Sequence, residues 1–254
     1  MIPKTIHYCW FGGNPKPKLA EKCIKSWKKY CPDYKIIEWN ETNFDISSAP
    51  LYVRQAYESK KWAFVTDYVR LYALVNYGGI YMDTDVEVVK ALDIFLKHDA
   101  FSGFEDEKNI PTGIMGCKKD FPLFMQFLNY YNDAEFYNGD GSLNLTTNVT
   151  VITNICSQNG FIPNNQYQEM DGFAIYPNDY FCPLDFRTRL LKKTKNTATI
   201  HWFSASWHDD SYRERRKKHL KLKRRQRSTR LIKKIAISVL GQERFNRLKT
   251  RLRK

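Results

Sequence analysis

The chain has no cysteine pair in CxxC spacing; its six cysteines, Cys9, Cys23, Cys31, Cys117, Cys156 and Cys182, are scattered. That pattern argues against a disulfide framework or a structural zinc site, and for reduced thiols in a cytosolic protein. No apolar run reaches the ~18 residues that would point to a transmembrane helix, and the opening segment Met1–His7 lacks the long apolar core of a signal peptide. The sequence also lacks the GxSxG, HExxH and P-loop signatures. Their absence removes three common catalytic designs, and no thiol stands out as activated.

Acidic residues are nearly missing from one region. Residues 211–254 hold 19 of the 41 Lys+Arg but only two of the 27 acids, Glu214 and Glu243. The formal net charge of +14 therefore comes from a tail, and residues 1–210 are mildly acidic. The sequence predicts two parts, a globular domain at 1–210 and a polybasic tail at 211–254. With 43% hydrophobic residues among 254, the globule has material for a sizeable core, which excludes wholesale disorder. Its aromatic content of 15% suits flat or carbohydrate-like ligands, although cores use aromatics too.

Hydrophobic periodicity gives a coarse map. Lys4–Phe11, Tyr34–Trp39, Ile80–Asp83 and Val86–Val89 read as strands; Lys18–Tyr30, Leu51–Ser59 and Trp62–Asn76 read as helices. Ala100–Phe104, Gly113–Cys117, Phe173–Tyr176 and Thr197–Phe203 are further strands, and Phe121–Tyr131 is a helix. Leu145–Cys156 fits either strand or helix. Strands alternating with helices in the first half predict an α/β fold with a mostly parallel sheet.

The most informative stretch is Gly78-Gly79-Ile80-Tyr81-Met82-Asp83-Thr84-Asp85, a short apolar strand ending in two carboxylates one residue apart. Where the strand ends, the chain bends and both acids can approach one centre. Two hard oxygen ligands suit Mn²⁺ or Mg²⁺, ions that clamp a diphosphate. Ligands of open α/β sheets sit beyond the carboxyl ends of strands, where these acids fall. Upstream, Asp67 and Arg70 share a face of a largely apolar helix. A surface ion pair there would be worth little, but the apolar surroundings predict that this pair borders a partly buried site.

The run Thr66-Asp67-x-x-Arg70, Leu74, Gly78-Gly79-Ile80-Tyr81-x-Asp83-x-Asp85 resembles the DxD-containing family-32 glycosyltransferases, relatives of the catalytic domain of the large clostridial glucosylating toxins. The segment from His7 to Gly13 looks like the nucleotide-binding first strand of that group, and His201–Trp207 is similar to its C-terminal His…Ser-Trp segment. The resemblance implies a GT-A fold, a nucleotide-sugar donor (a UDP-sugar first of all) and a divalent metal, Mn²⁺ or Mg²⁺. Carried over residue by residue, Cys9 and Trp10 lie at the nucleotide, with Trp10 stacked on its base. Asp67 binds donor hydroxyls, Arg70 lies against the sugar or diphosphate, and Tyr81 packs beside the nucleotide. Asp83 and Asp85 bind metal and ribose, His201 joins them as a metal ligand, and Ser206 with Trp207 caps the diphosphate. For Trp10 and Trp207 a place in the core, and for His201 a satisfied strand histidine, stay open as alternatives. Relatives carry Thr-Gly-Pro in the region where Asn148-Val149 stands here, so the resemblance assigns Asn148 no role.

In the tail, Leu231, Ile232, Ile235, Val239, Phe245, Leu248 and Leu252 follow near-helical spacing beside Lys and Arg. That is the pattern of an interfacial amphipathic helix next to a polybasic cluster, and it predicts peripheral contact with an anionic membrane. Nucleic-acid binding and a solvated or self-associating tail are the rival readings. The combined expectation is a metal-dependent, retaining glycosyltransferase acting on a glycan or lipid-linked glycan at the inner membrane face, in bacterial capsule or lipopolysaccharide synthesis. A nucleic-acid-binding module with an incidental DxD is the alternative.

Overall fold

Strand β1 (Thr5–Cys9) is built from β-branched and aromatic residues and is almost wholly buried. It anchors the sheet of the computed structural model, which describes residues 1–111, 113–204, 237, 238, 241 and 242. Helix α1 (Lys18–Tyr30) starts after Pro17, a residue suited to a helix entry, and buries Ala20, Cys23 and Trp27. Strand β2 (Lys35–Trp39), helix α2 (Leu51–Glu58) and helix α3 (Trp62–Tyr77) follow. Helix α3 is buried on nearly every side, which explains its weak amphipathic pattern. It leads through Gly78 into β3 (Gly79–Met82), four buried residues that end at Asp83.

Strands β4 (Val86–Val88), β5 (Ala100–Gly103) and β6 (Ile114–Cys117) come next, then helix α4 (Pro122–Asn129). The ambiguous segment near 145–156 is helix α5 (Asn148–Gln158), capped by the Thr147 side chain, which accepts from the Thr150 amide. Strand β7 (Gln168–Met170), strand β8 (Phe173–Tyr176), helix α6 (Asn178–Phe181) and strand β9 (Thr199–His201) complete the described elements. The strand expected over Thr197–Phe203 is thus only three residues long.

The main sheet has seven strands in the order β2-β1-β3-β6-β5-β8-β7. Five run in one direction; β6 and β7 oppose them. The expected mixed, mostly parallel α/β sheet is therefore present, with antiparallel pairing at β6 and at the β7 edge. One face packs on α2, α3, α4 and α5; the other packs on α1, α6 and a small β4–β9 ribbon. Trp27 of α1 fixes that ribbon by donating its indole N–H to the Val86 carbonyl at 2.7 Å. The chain divides into units Met1–Trp207 and His208–Lys254. The tail expected at 211–254 lies outside the described residues, apart from the four named above. Among the described residues no helix is long and apolar enough to cross a membrane.

The entry to β3 is tightly constrained. His7 is fully buried, and burial lowers its basicity. Its Nε2 lies 2.8 Å from the Gly78 carbonyl and its Nδ1 accepts from the Trp39 indole at 3.1 Å, which fixes the neutral tautomer with the proton on Nε2. Gly79, over this ring, has φ +111°, and a Cβ there would stand 2.6 Å from the Thr5 carbonyl oxygen. Backbone strain and steric contact both oppose any side chain. Gly79→Ala is expected to destabilise the domain by about 3 kcal/mol, read as a shifted urea midpoint. A loss below about 1 kcal/mol would show that β3 tolerates relaxation there.

Candidate metal and donor-binding site

The site begins on α3. Asp67 and Arg70 stand one helical turn apart, only 8% and 5% exposed, so their pairing is not the weak surface kind. Arg70 Nη2 lies 3.0 Å from Asp67 Oδ1, and Nη1 lies 3.3 Å from Asp83 Oδ1 at the end of β3. Its Nε donates to the Thr66 carbonyl at 3.2 Å, and the guanidinium lies 4.6 Å from the centre of the Tyr81 ring. Tyr81 donates its hydroxyl to Asp83 Oδ1 at 2.9 Å. Asp83 Oδ1 is thus engaged by both Arg70 and Tyr81, while Oδ2 is turned towards His201, 4.0 Å from its Nε2.

Burial opposes the charges of Asp67 and Arg70. It pushes the Asp67 carboxyl up to about 6, against the pull of Arg70. Burial also works against the Arg70 charge, but the carboxylates of Asp83 and Asp67 more than offset it and hold the guanidinium protonated. Burial raises the Cys9 thiol, which faces the field of Arg70, and this excludes a reactive thiolate there.

The Asp83-Thr84-Asp85 turn is closed by the Val86 amide, which donates to the Asp83 carbonyl at 2.9 Å. It is tied to the sheet by the Asp83 amide, which donates to Gly113 O at 2.8 Å. The ribbon then brings the C-terminal part of the chain across. Val86 pairs with His201, and the Trp202 amide donates to the Asp85 carbonyl at 3.0 Å. His201 Nε2 reaches Asp85 Oδ1 at 3.2 Å, while Asp85 Oδ2 accepts the Ser204 amide at 2.6 Å. Against the penalty of burial, these partners hold the Asp85 carboxyl below its usual range. Asp85 in turn raises the His201 imidazole well above its usual value, again against burial. Phe203 stacks on the imidazole at 4.0 Å, and a Cβ on Gly113 would meet it at 2.7 Å, so the ring has little room to turn.

Ligand atoms of Asp83, Asp85 and His201 all lie within 4.8 Å of one another, so these three could hold a metal ion. Two carboxylates and one imidazole are a donor set that suits Mn²⁺.

Comparison with known proteins bears on this cluster directly. The glycosyltransferase sugar-binding region containing the DXD motif matches residues 17–102, a span that includes Asp67, Arg70, Asp83 and Asp85. Over these residues the chain is similar to the DXD glycosyltransferases. Inositol phosphoceramide mannosyltransferase 3 of Schizosaccharomyces pombe is 32% identical over 129 residues, covering 49% of this chain and 36% of that protein. The chain thus spans about a third of that relative's length. Uncharacterized glycosyltransferase L373 of Acanthamoeba polyphaga mimivirus is 27% identical over 205 residues, covering 72% of this chain and 78% of that one. Among solved structures, PaToxG glycosyltransferase aligns at 20% identity with a TM-score of 0.48, over 62% of this chain and 69% of its own.

Of the residues singled out in the sequence, Cys9, Asp67, Arg70, Tyr81, Asp83, Asp85 and His201 come together. His201, which sequence left open as a strand histidine, is both: it ends β9 and pairs with Asp85. Trp10 is half-buried just past β1. Its indole donates to the Asn14 carbonyl at 2.6 Å, and the Lys16 ammonium lies 5.7 Å from the ring centre. Ser206 and Trp207 lie outside the described residues.

Tyr131 and Glu105 were not foreseen, and Asn148, in a run of amides and hydroxyls of the kind that bind sugars, had no assigned role. Asn148 and Tyr131 contact Asp67 or its neighbours from α5 and the end of α4. Glu105, just past β5, is raised by burial and sits in the fields of His201, Asp106 and Asp83. A polar residue inside the Thr-rich run before α5 was the one available signal for Asn148.

Removing Arg70 leaves the buried Asp67 and the half-buried Asp83 without their shared cation. Arg70→Met is expected to cost about 3–5 kcal/mol at pH 8. Asp67 is raised in the folded state, so protonation favours folding below its unfolded value, and that contribution is lost as pH rises through about 6. Arg70 lowers the Asp67 carboxyl, so its loss raises that carboxyl further, the variant takes up the proton at higher pH, and its deficit should shrink between pH 8 and pH 5. Thermal melting across that range measures it; a deficit independent of pH would mean that Arg70 acts by packing alone.

Proposed function

We propose that the chain is a metal-dependent glycosyltransferase that moves a sugar from a nucleotide-sugar donor to a glycan or lipid-linked glycan. The observation that carries this reading is the convergence of Asp83, Asp85 and His201 beside the buried Asp67–Arg70 pair, at the end of β3. Asp83, Asp85 and His201 would hold Mn²⁺ or Mg²⁺. When bound, the ion neutralises the negative charge that builds on a departing diphosphate. Arg70 adds a fixed positive charge that needs no reorganisation, because Asp67, Asp83 and Thr66 already orient its fork. Asp67 accepts hydrogen bonds from donor-sugar hydroxyls. Cys9, Trp10 and Tyr81 form the nucleotide side, with Trp10 offering a π face to the base, and Ser206 and Trp207 cap the diphosphate. A retaining, front-side displacement is the course of reaction we favour, with the leaving phosphate as base.

A UDP-sugar is the first candidate donor. The name of the Schizosaccharomyces pombe relative refers to mannosyl transfer and inositol phosphoceramide, which supports a lipid acceptor and adds GDP-mannose to the donors worth testing. The setting we propose is cell-surface polysaccharide synthesis, bacterial capsule or lipopolysaccharide among its forms, at the inner face of the membrane.

A thermal-shift screen of UDP-glucose, UDP-galactose and GDP-mannose, with and without Mn²⁺, tests the donor site, because a ligand selective for the folded state raises Tm by mass action. One donor should raise Tm only with Mn²⁺, and Asp85→Ala should remove the Mn²⁺-dependent part and abolish transfer. Full turnover in Asp85→Ala would overturn the reading.

The basic tail is proposed as a membrane contact. Full-length protein should sediment with vesicles containing acidic lipid and release as salt screens the charges. Protein lacking 211–254 should stay in solution while keeping its metal-dependent donor binding. Equal sedimentation of the two would show that the tail is not the anchor.

A further inference from the structure

Asn148 opens α5 and is only 1% exposed, an unusual burial for an amide side chain. Its contacts converge on Asp67. The Asn148 backbone amide donates to Asp67 Oδ2 at 3.3 Å, and its side-chain Nδ2 donates to the Asp67 backbone carbonyl at 3.2 Å. The same Nδ2 donates to the Tyr131 hydroxyl at 2.7 Å. Asp67 Oδ1 faces Arg70, so the two oxygens of this carboxylate are held from opposite sides, by α3 and by α5. The side chain of Asn148 does not itself touch the carboxylate; it docks the first turn of α5 on the Asp67 backbone, and this docking aims the amide. The free N–H groups and the dipole of a helix N-terminus favour a negative charge. Asn148 Oδ1 is buried with no hydrogen-bond partner among the described residues, a cost a purely structural amide would not need to carry.

We propose that Asn148 is a positioning residue for donor binding: through its clasp on Asp67 and Tyr131 it holds the N-terminus of α5 against the Asp67 carboxylate, so that this carboxylate stays aimed for donor hydroxyls. The proposal rests on the glycosyltransferase reading of Asp67. Arg70 of α3, Asp83 after β3, the hydroxyls of Tyr131 after α4 and Tyr52 of α2, and the Cys9 thiol of β1 also act on this carboxylate or feel it. Burial and Asp83 raise it, while Arg70 and the Asn148 amide lower it. Loss of the α5 contact should raise it further.

The test is a double-mutant cycle read by calorimetric binding of UDP-glucose, UDP-galactose and GDP-mannose to full-length protein with Mn²⁺. Asn148→Ala should weaken binding of the accepted donor by about 10-fold, with the acid limb of binding moved to higher pH. In an Asp67→Asn background the same substitution should change binding less than about twofold, because the two residues act as one unit. Tyr131→Phe keeps the ring and removes only the hydroxyl. It should weaken binding in the same direction, again only where Asp67 is present, and it serves if Asn148→Ala does not fold. Equal weakening in both backgrounds, or none in the first, overturns the proposal. Undiminished binding in Asp67→Asn alone, or binding of none of the three donors, would instead remove the reading on which it rests.

Discussion

One buried guanidinium organises this site. Arg70 is shared between Asp67 on its own helix and Asp83 at the end of β3, and it lies against the ring of Tyr81. Without it, the buried Asp67 carboxylate would sit in low dielectric with too little compensation, beside the half-buried Asp83. With it, α3 and β3 are locked in register at the point where the chain turns through Asp83-Thr84-Asp85. Much of the remaining local architecture serves that turn: the Gly78–Gly79 entry over His7, the Gly113 carbonyl that receives the Asp83 amide, and the β4–β9 ribbon that carries His201 to Asp85.

The two halves of the site have opposite electrostatics. On the Asp67 side, burial pushes the carboxyl up to about 6. On the Asp85 side, His201 and the Ser204 amide hold the carboxyl below its usual range. A carboxylate kept ionised under all ordinary conditions suits a metal ligand. One nearer its titration point depends on its neighbours to remain an acceptor. On the proposed reading of Asp67 as the acceptor of donor hydroxyls, that difference gives Arg70 and the α5 N-terminus a consequence beyond packing.

Much of this was legible in the sequence, for definite reasons. Asp67, Arg70, Tyr81, Asp83 and Asp85 lie within nineteen consecutive residues. Helical spacing plus a strand end is enough to bring these five together, and local periodicity carries that information. The strands β1, β2 and β3 were visible because apolar and β-branched residues cluster there. His201 was ambiguous because its partner is more than a hundred residues away, and only the β4–β9 pairing joins them. Asn148 was illegible for a related reason. Its segment carries Thr, Val and Ile, which suit a strand as well as a helix, and its role depends on Asp67, eighty-one residues earlier. The antiparallel entry of β6 beside β3 likewise follows from long-range topology, not from local pattern.

The central claim is that Asp83, Asp85 and His201, drawn from opposite ends of the domain, enclose one divalent ion. Electron-nuclear spectroscopy of Mn²⁺ bound to the protein with UDP tests it directly. The account predicts a nitrogen coupling from an imidazole ligand that disappears in His201→Ala while nucleotide is still bound. A spectrum with oxygen ligands alone in the unaltered protein, or a nitrogen coupling that survives His201→Ala, would contradict it.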